Sequence, residues 1–270
     1  MYSLFRMCKE LSERCVVGES FKEVYGMIKK LYDKSEIWFT VAWIIAYVVL
    51  SSLGDNLSAS LGIKKVVTLP IALVLSVVMF LFVKKHGLME KYGLCKSKVP
   101  ASKMLFYIPI LIFVTENLWL GVVMNLSVLE TILYILFMLC VGFLEEMIFR
   151  GFLFEAMAKD GLKSAVIVSS VTFGLGHIVN LVNGSGAELL PNVLQVIYAI
   201  AIGFMFVMMY YKTQSILMCI AAHGMFNALG VFANEAARTP QNRIMFCIFL
   251  VVFCGGYGLY IALKVKREEK

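Results

Sequence analysis

Long apolar runs, separated by short polar connections, dominate the chain. A helix of ~20 residues spans the hydrocarbon core of a bilayer, and eight runs approach or exceed that length. They are Ile37–Leu53, Val66–Val83, Met104–Met124, Val128–Ala158, Leu162–Ile178, Pro191–Tyr211, Ser215–Leu229 and Ile244–Val265. None shows the strict alternation of a barrel strand, and only helices or closed barrels satisfy the backbone in lipid. The pattern predicts an all-α, polytopic membrane helix bundle with about eight transmembrane helices.

Composition supports a membrane protein over a soluble one. Hydrophobic residues make up 60% of the chain and charged residues 16%, with a mean hydropathy of +0.84. Soluble domains are roughly 45–50% apolar and about 25% charged. No internal repeat or second domain stands out, so residues 37–270 are predicted to form one eight-helix membrane domain.

Residues 1–36 differ in character from the rest. They hold seven Lys/Arg and six Asp/Glu and lack the apolar core of a cleavable signal peptide. Apolar residues between Phe21 and Tyr32 recur at helical spacing, which indicates an amphipathic helix at the membrane surface. A solvated charged arm is the alternative. Either way, the segment is predicted to be a cytoplasmic N-terminal arm.

Basic residues are distributed unevenly along the chain. With eight spans and both termini in the cytoplasm, 21 of the 25 Lys/Arg fall in cytoplasmic segments, leaving Lys64, Lys65, Arg238 and Arg243 outside. The positive-inside rule predicts this asymmetry. We therefore expect a multi-pass protein of the cell membrane with both termini cytoplasmic. Because topology accounts for the net charge of +7, and no basic patch interleaves with aromatics, no nucleic-acid partner is expected.

Several polar residues lie inside the predicted spans, where charge costs a few kcal/mol per group. The central ones are Glu145, Glu146 and Arg150 in the fourth run, His177 in the fifth, and His223 and Asn227 in the seventh. Counting residues from the neighbouring turns places Glu145, His177, His223 and Asn227 in roughly one layer. Such convergence from three helices indicates a functional site.

The spacing of the two glutamates predicts different environments for them. Glu146 and Arg150 are i,i+4 on one helix, the favourable orientation for an ion pair. Glu145 is rotated by ~100° and can face a cavity. Hydrolysis of a peptide bond needs a base that activates water and donors that face the developing oxyanion. Glu145 is thus a candidate base, with the histidines and Asn227 as its partners.

Three motifs resemble the CPBP family of membrane proteases, which includes the type II CAAX prenyl protease and bacteriocin-processing or self-immunity proteins. Glu145-Glu146-x-x-x-Arg150, Phe173-x-x-x-His177 and His223-x-x-x-Asn227 appear in family order within about residues 128–230. The resemblance implies that Glu145 activates water with help from His177, and that His223 and Asn227 hold the oxyanion. Glu146 and Arg150 would support the site.

The candidate residues are compatible with two mechanisms, one that uses zinc and one that uses no metal. Two histidines and a glutamate could form a zinc triad, and a metallopeptidase is therefore the rival mechanism. The H-E-x-x-H motif is absent, however, and paired acids with an asparagine suit metal-free hydrolysis. We expect no metal and no cofactor, with zinc as the alternative.

The sequence thus predicts an intramembrane endopeptidase that uses a glutamate-activated water. Its partners would be the lipid bilayer and a peptide or protein substrate, either a prenylated protein or a leader peptide. Two other classes stay open. A proton-coupled transporter could use the same acids and histidines as a relay. A non-catalytic immunity or binding protein could carry the motifs without cleaving anything.

Overall fold

A computed structural model describes residues 26–183 and 187–267 of the chain. Helices make up nearly all of this part, and the described residues contain no strand, only an isolated bridge between Val122 and Ala233. The α-helices are α1 (Glu36–Ser60), α2 (Thr68–Lys85), α3 (Ile108–Thr115), α4 (Val128–Glu146), α5 (Glu155–Ala158), α6 (Leu162–Gly176), α7 (Leu189–Thr213), α8 (Leu217–Leu229) and α9 (Pro240–Lys264). The protein is a polytopic helical bundle, as predicted.

Within the described residues, seven helical segments are long and apolar enough to cross a membrane. The eighth predicted span is shorter: α8 with its final turn covers Leu217–Phe232. It starts late because Gln214 takes a left-handed conformation that ends α7, and the turn through Ser215 and Ile216 is buried. The helix therefore begins below the surface of the bundle.

The third predicted span ends earlier than its apolar run. Helical turns within Ala101–Leu118 are interrupted before α3 by left-handed backbone angles at Leu105, Phe106 and Tyr107, and the run beyond Leu118, as far as Met124, is not helical. The N–H of Val123 donates to the carbonyl of Phe232 at 3.0 Å, beside the bridge from Val122 to Ala233. These residues satisfy their backbone by pairing with the α8–α9 connection, which apolar content alone could not indicate.

Close packing between α4 and α8 brings two of the motif helices together. A Cβ placed on Gly142 of α4 would lie 2.6 Å from the backbone nitrogen of Gly224 in α8. Only a glycine allows this approach, and small residues serve the same purpose in other membrane helix pairs. The contact lies one turn before the two glutamates and next to His223.

Beyond Glu146 the fourth span changes its winding. Residues Met147–Phe154 form a π-helix, and all eight are buried. π-helical turns are rare and frequently occur at functional sites. The Ser169 hydroxyl of α6 donates to the carbonyl of Phe149 at 2.8 Å, which links the π-helix to its neighbour.

Part of the predicted arm lies within the described chain. Residues 26–34 are helical, and Ile28, Leu31 and Tyr32 pack against the core. The Tyr32 hydroxyl accepts a hydrogen bond from Lys91 at 2.8 Å. Residues 1–25 lie outside the described part, so the amphipathic arm stays a prediction.

Candidate active site

The two adjacent glutamates occupy different environments. Glu145 lines a cavity of about 720 Å³ and its side chain is 13% exposed. Glu146 does not line the cavity, and its side chain is fully buried. The rotation of ~100° between neighbouring helical positions produces this difference. The carboxylate of Glu145 can thus contact a substrate in the cavity, while that of Glu146 can contact only buried groups of the protein.

Arg150 is the charge partner of Glu146. Its Nη1 donates to Oε1 of Glu146 at 3.1 Å, and both side chains are fully buried. The guanidinium also lies over the Phe173 ring, 4.0 Å from the centroid, and 5.5 Å from that of Phe206. An ion pair with aromatic faces around it compensates part of the cost of burying a charge. Phe173, the first residue of its motif, therefore packs against the arginine.

His223 lies between the two carboxylates. Its Nδ1 is 2.8 Å from Oε1 of Glu146, and its Nε2 is 3.8 Å from Oε2 of Glu145. An ionised carboxylate can only accept hydrogen bonds, so Nδ1 carries the proton that faces Glu146. In a neutral ring the lone pair of Nε2 then faces Glu145. His223 is 4% exposed and does not line the cavity.

A tyrosine outside the three motifs contacts Glu145. The Tyr47 hydroxyl of α1 donates to Oε1 of Glu145 at 2.7 Å, and Tyr47 lines the same cavity. Hydrogen bonds to charged groups are roughly twice as strong as neutral ones. Glu145 is therefore held from one side by α1 and faces His223 on the other.

His177 and Asn227 both line the cavity that Glu145 lines. His177 lies where α6 tightens into a 3-10 turn, and its carbonyl accepts a hydrogen bond of 2.8 Å from Nδ2 of Asn192. The carbonyl of Phe226, next to Asn227, accepts one of 2.8 Å from Asn117. Carbonyls near helix ends lack helical partners, and these amides supply them. Both helix ends are thereby fixed at the cavity wall.

A second polar group lines the same cavity. Glu116 is only 3% exposed, and its carboxylate is 3.8 Å from Nη2 of Arg238. The same nitrogen donates to Oδ1 of Asn117 at 2.8 Å. Arg238 thus supports the amide that holds the end of α8. All three residues line the cavity.

A catalytic zinc would need three protein ligands that converge near Glu145. Across residues 26–183 and 187–267, no group of three or more His, Cys, Asp or Glu side chains is arranged to hold a metal ion. Nε2 of His223 lies 3.8 Å from Oε2 of Glu145, near the ~3.4 Å that separates two ligand atoms on one tetrahedral zinc with bonds of ~2.0–2.2 Å. No third side chain among the described residues completes a zinc triad with this pair.

Sequence reasoning missed Tyr47 and Asn192. Each contacts a motif residue from a helix that carries no motif: Tyr47 reaches Glu145 across 98 positions of sequence. The available signal was a hydroxyl or an amide within an apolar run, which is weak for tyrosine because it is common in membrane helices. Arg238 was placed correctly outside the spans but without a role.

Comparison with known proteins gives one match. Residues 126–229 match the family described as Rce1-like, type II CAAX prenyl endopeptidase Rce1-like. No curated protein and no solved structure is detectably similar to the chain. The matched segment contains all three motifs and agrees with the resemblance to CPBP intramembrane proteases. It supports the activity of a membrane endopeptidase and leaves the catalytic type open.

Proposed function

We propose that this multi-pass membrane protein, whose residues 126–229 are an Rce1-like endopeptidase domain, hydrolyses peptide bonds with a water activated by Glu145. The observation that carries the proposal is the unequal placement of the two glutamates. Glu145 faces the cavity, whereas Glu146 is buried against Arg150. A single carboxylate is thus available to accept a proton from water.

The residues on the cavity wall suit the other parts of the reaction. When a water attacks a carbonyl carbon, its proton passes to Glu145 and negative charge develops on the carbonyl oxygen. Asn227 can donate to that oxygen, and His177 can pass a proton to the departing amine. Both side chains line the cavity together with Glu145. Collapse of the intermediate breaks the C–N bond and gives a new carboxylate and a new amine.

For His223 we propose a positioning role in place of the oxyanion role that the resemblance implied. An oxyanion donor must reach the cavity, and His223 is buried between the carboxylates. We assign it a positioning role: Nδ1–H is fixed by Glu146, and the lone pair of Nε2 faces Glu145. The buried pair of Glu146 and Arg150 therefore acts on the base through His223.

The proposal is tested by expressing the protein in a host cell and analysing the host's membrane polypeptides for cleavage. Glu145→Gln keeps shape and polarity but removes the base, and loss of a general base costs typically ~10²–10⁴ in rate. New polypeptide termini detected by mass spectrometry should appear with the wild type and disappear with Glu145→Gln. Glu90→Gln, the same change at an exposed site, is the matched control and should cleave normally.

The same experiment separates the competing functions. A transporter or a binding protein would give no new termini with any variant, including the wild type. A wild-type yield from Glu145→Gln would reject this residue as the base while keeping the endopeptidase.

A further inference from the structure

The cavity draws its lining from one side of the bundle only. On α1 the lining runs from Ile44 to Asp55, in the half that leads to the α1–α2 connection. In the fourth span, Val128–Ala158, it lies between Tyr134 and Phe149 and leaves out the last two turns, and on α9 it ends at Leu250. No residue from 68 to 115 contributes. The cavity therefore opens at the end where α1 finishes and where α4, α7 and α9 begin.

The opposite end is closed by the segment after α2. Backbone and side-chain hydrogen bonds join it to the buried turn between α7 and α8: Ile216 N–H to the Gly93 carbonyl at 2.8 Å, and the Ser215 hydroxyl to the Cys95 carbonyl at 2.6 Å. Tyr92 is fully buried there, and a Cβ on Gly93 would lie 2.5 Å from the Tyr210 ring. A substrate has no route to Glu145 through this packing.

Charge distinguishes the two ends. Arg150 is buried between them, and of the other 19 Lys/Arg in residues 26–183 and 187–267, 15 belong to the first helix (residues 26–34), the connections and the end of α9 on the closed side. The open side carries Lys64, Lys65, Arg238 and Arg243. Short loops rich in Lys and Arg stay in the cytoplasm, so the closed side faces the cytoplasm.

We infer that the active-site cavity opens to the non-cytoplasmic face and takes a polypeptide segment presented from that face. The inference names the substrate class of the proposed function and rests on it. Polypeptides whose cleavage site has crossed the membrane, or lies on its far side, are the substrates. A lipid-modified C-terminus held at the cytoplasmic surface cannot enter.

The lining fits the backbone of a polypeptide. Carboxamides from several parts of the chain line the cavity, among them Asn192, Gln195 and Asn227. Each carboxamide can donate and accept, as a peptide group does. The Oδ1 of Asn192 is buried and has no hydrogen-bond partner among the described residues, so it can accept from a substrate N–H. The volume of about 720 Å³ lies in the ~300–1,000 Å³ range of sites that bury most of a small ligand, so the cavity has room for a short stretch of polypeptide.

The charges at the opening are largely balanced. Lys65 pairs with Asp55 at 2.8 Å, and Arg243 pairs with Glu235 at 2.7 Å. Together with the pair of Arg238 and Glu116, they leave little net charge at the rim. Selection of a strongly acidic or basic peptide is therefore not expected, and an uncharged extended segment suits the opening best.

Thiol accessibility in intact cells tests the direction of the opening. Cys8, Cys15, Cys95, Cys140 and Cys247, the last of which lines the cavity, are first replaced by serine. Glu188→Cys then probes the rim, Gln195→Cys the cavity, and Lys96→Cys, an exposed site on the closed side, is the matched control. A small charged methanethiosulfonate reagent is the probe. Glu188→Cys and Gln195→Cys should be modified without permeabilisation, and Lys96→Cys only after it.

The reverse pattern would overturn the inference. The inference would also be overturned if intact cells showed modification of Glu188→Cys and none of Gln195→Cys, because the cavity would then not open at the end where Glu188 lies. Accessibility does not depend on hydrolysis, so the two proposals fail separately. If the thiols behave as expected and no polypeptide is cleaved, only the endopeptidase proposal falls. If cleavage occurs and the cavity thiol is reached only from the cytoplasm, only this inference falls.

Discussion

The Tyr47 hydroxyl donates to Oε1 of Glu145 at 2.7 Å, joining α1 to the proposed base. This contact comes from a helix outside residues 126–229, the segment that matches the Rce1-like family. It fixes the orientation of the carboxylate on the side away from His223. A water that approaches Glu145 can therefore bind at Oε2, the carboxylate oxygen that lies 3.8 Å from Nε2 of His223.

Tyr47→Phe should slow the chemical step without unfolding the protein. A hydrogen bond to a charged group contributes about 1.5–3 kcal/mol, which corresponds to roughly ten- to hundredfold in rate. If Tyr47 orients the base, kcat falls and KM changes little. Tyr260→Phe, which removes a hydroxyl bonded to the Lys103 carbonyl outside the cavity, is the control. A wild-type kcat for Tyr47→Phe would reject the positioning role.

Gly142→Ala should destabilise the bundle and reduce activity together. The added methyl would meet Gly224 at 2.6 Å, so α4 and α8 must separate, and the contact of Glu146 with His223 lengthens. Overpacking of this kind costs typically ~1–3 kcal/mol. Thermal unfolding in detergent should show a lower Tm than for Gly255→Ala, where nothing lies within 4 Å. Equal Tm values would show that the close approach is not needed.

Local spacing predicted part of this site and could not predict the rest. The pair of Glu146 and Arg150 follows from their i,i+4 relation on one helix. The contact of Tyr47 with Glu145 depends on how α1 lies against α4, which no periodicity in either segment specifies. The location of His223 between the carboxylates likewise depends on the close packing at Gly142. The motifs indicated which residues lie close together, but they did not indicate which side chains line the cavity and which are buried.

The fold was predictable to a similar extent. Apolar runs predicted the helical segments because burial in lipid requires them. Two features depend on tertiary hydrogen bonds instead: the early end at Leu118, and the short α8 after the buried turn at Gln214. The π-helix from Met147 to Phe154 has no sequence signal of its own, since the same apolar run would also fit an α-helical span.

Glu146→Gln should damage stability more than chemistry. The change leaves the buried Arg150 without its charge partner, and breaking a buried pair costs ~3–5 kcal/mol. We expect a lower yield and a lower Tm, with residual cleavage per folded molecule. Restoring neutrality with Glu146→Gln and Arg150→Met together should recover part of the Tm. A normal Tm for the single variant would contradict the structural role of the pair.

Removal of metal should leave activity unchanged. The side chains around Glu145 do not form a group that could hold a metal within residues 26–183 and 187–267. Purified protein treated with a strong chelator should cleave at the untreated rate. Elemental analysis should find no stoichiometric zinc. A reversible loss that added zinc restores would make Glu145 and the histidines ligands and replace the glutamate mechanism.

The most direct measurement follows the oxygen of the attacking water. Purified protein is incubated with a random-sequence peptide library in heavy-oxygen water, and new C-termini are analysed by mass spectrometry. Because hydrolysis places a solvent oxygen in each new carboxylate, labelled termini report cleavage without knowledge of the substrate. The wild type should produce them, and equally folded Glu145→Gln should lose them by ~10²-fold or more. Labelled termini from Glu145→Gln at the wild-type rate would contradict the claim that Glu145 activates the water.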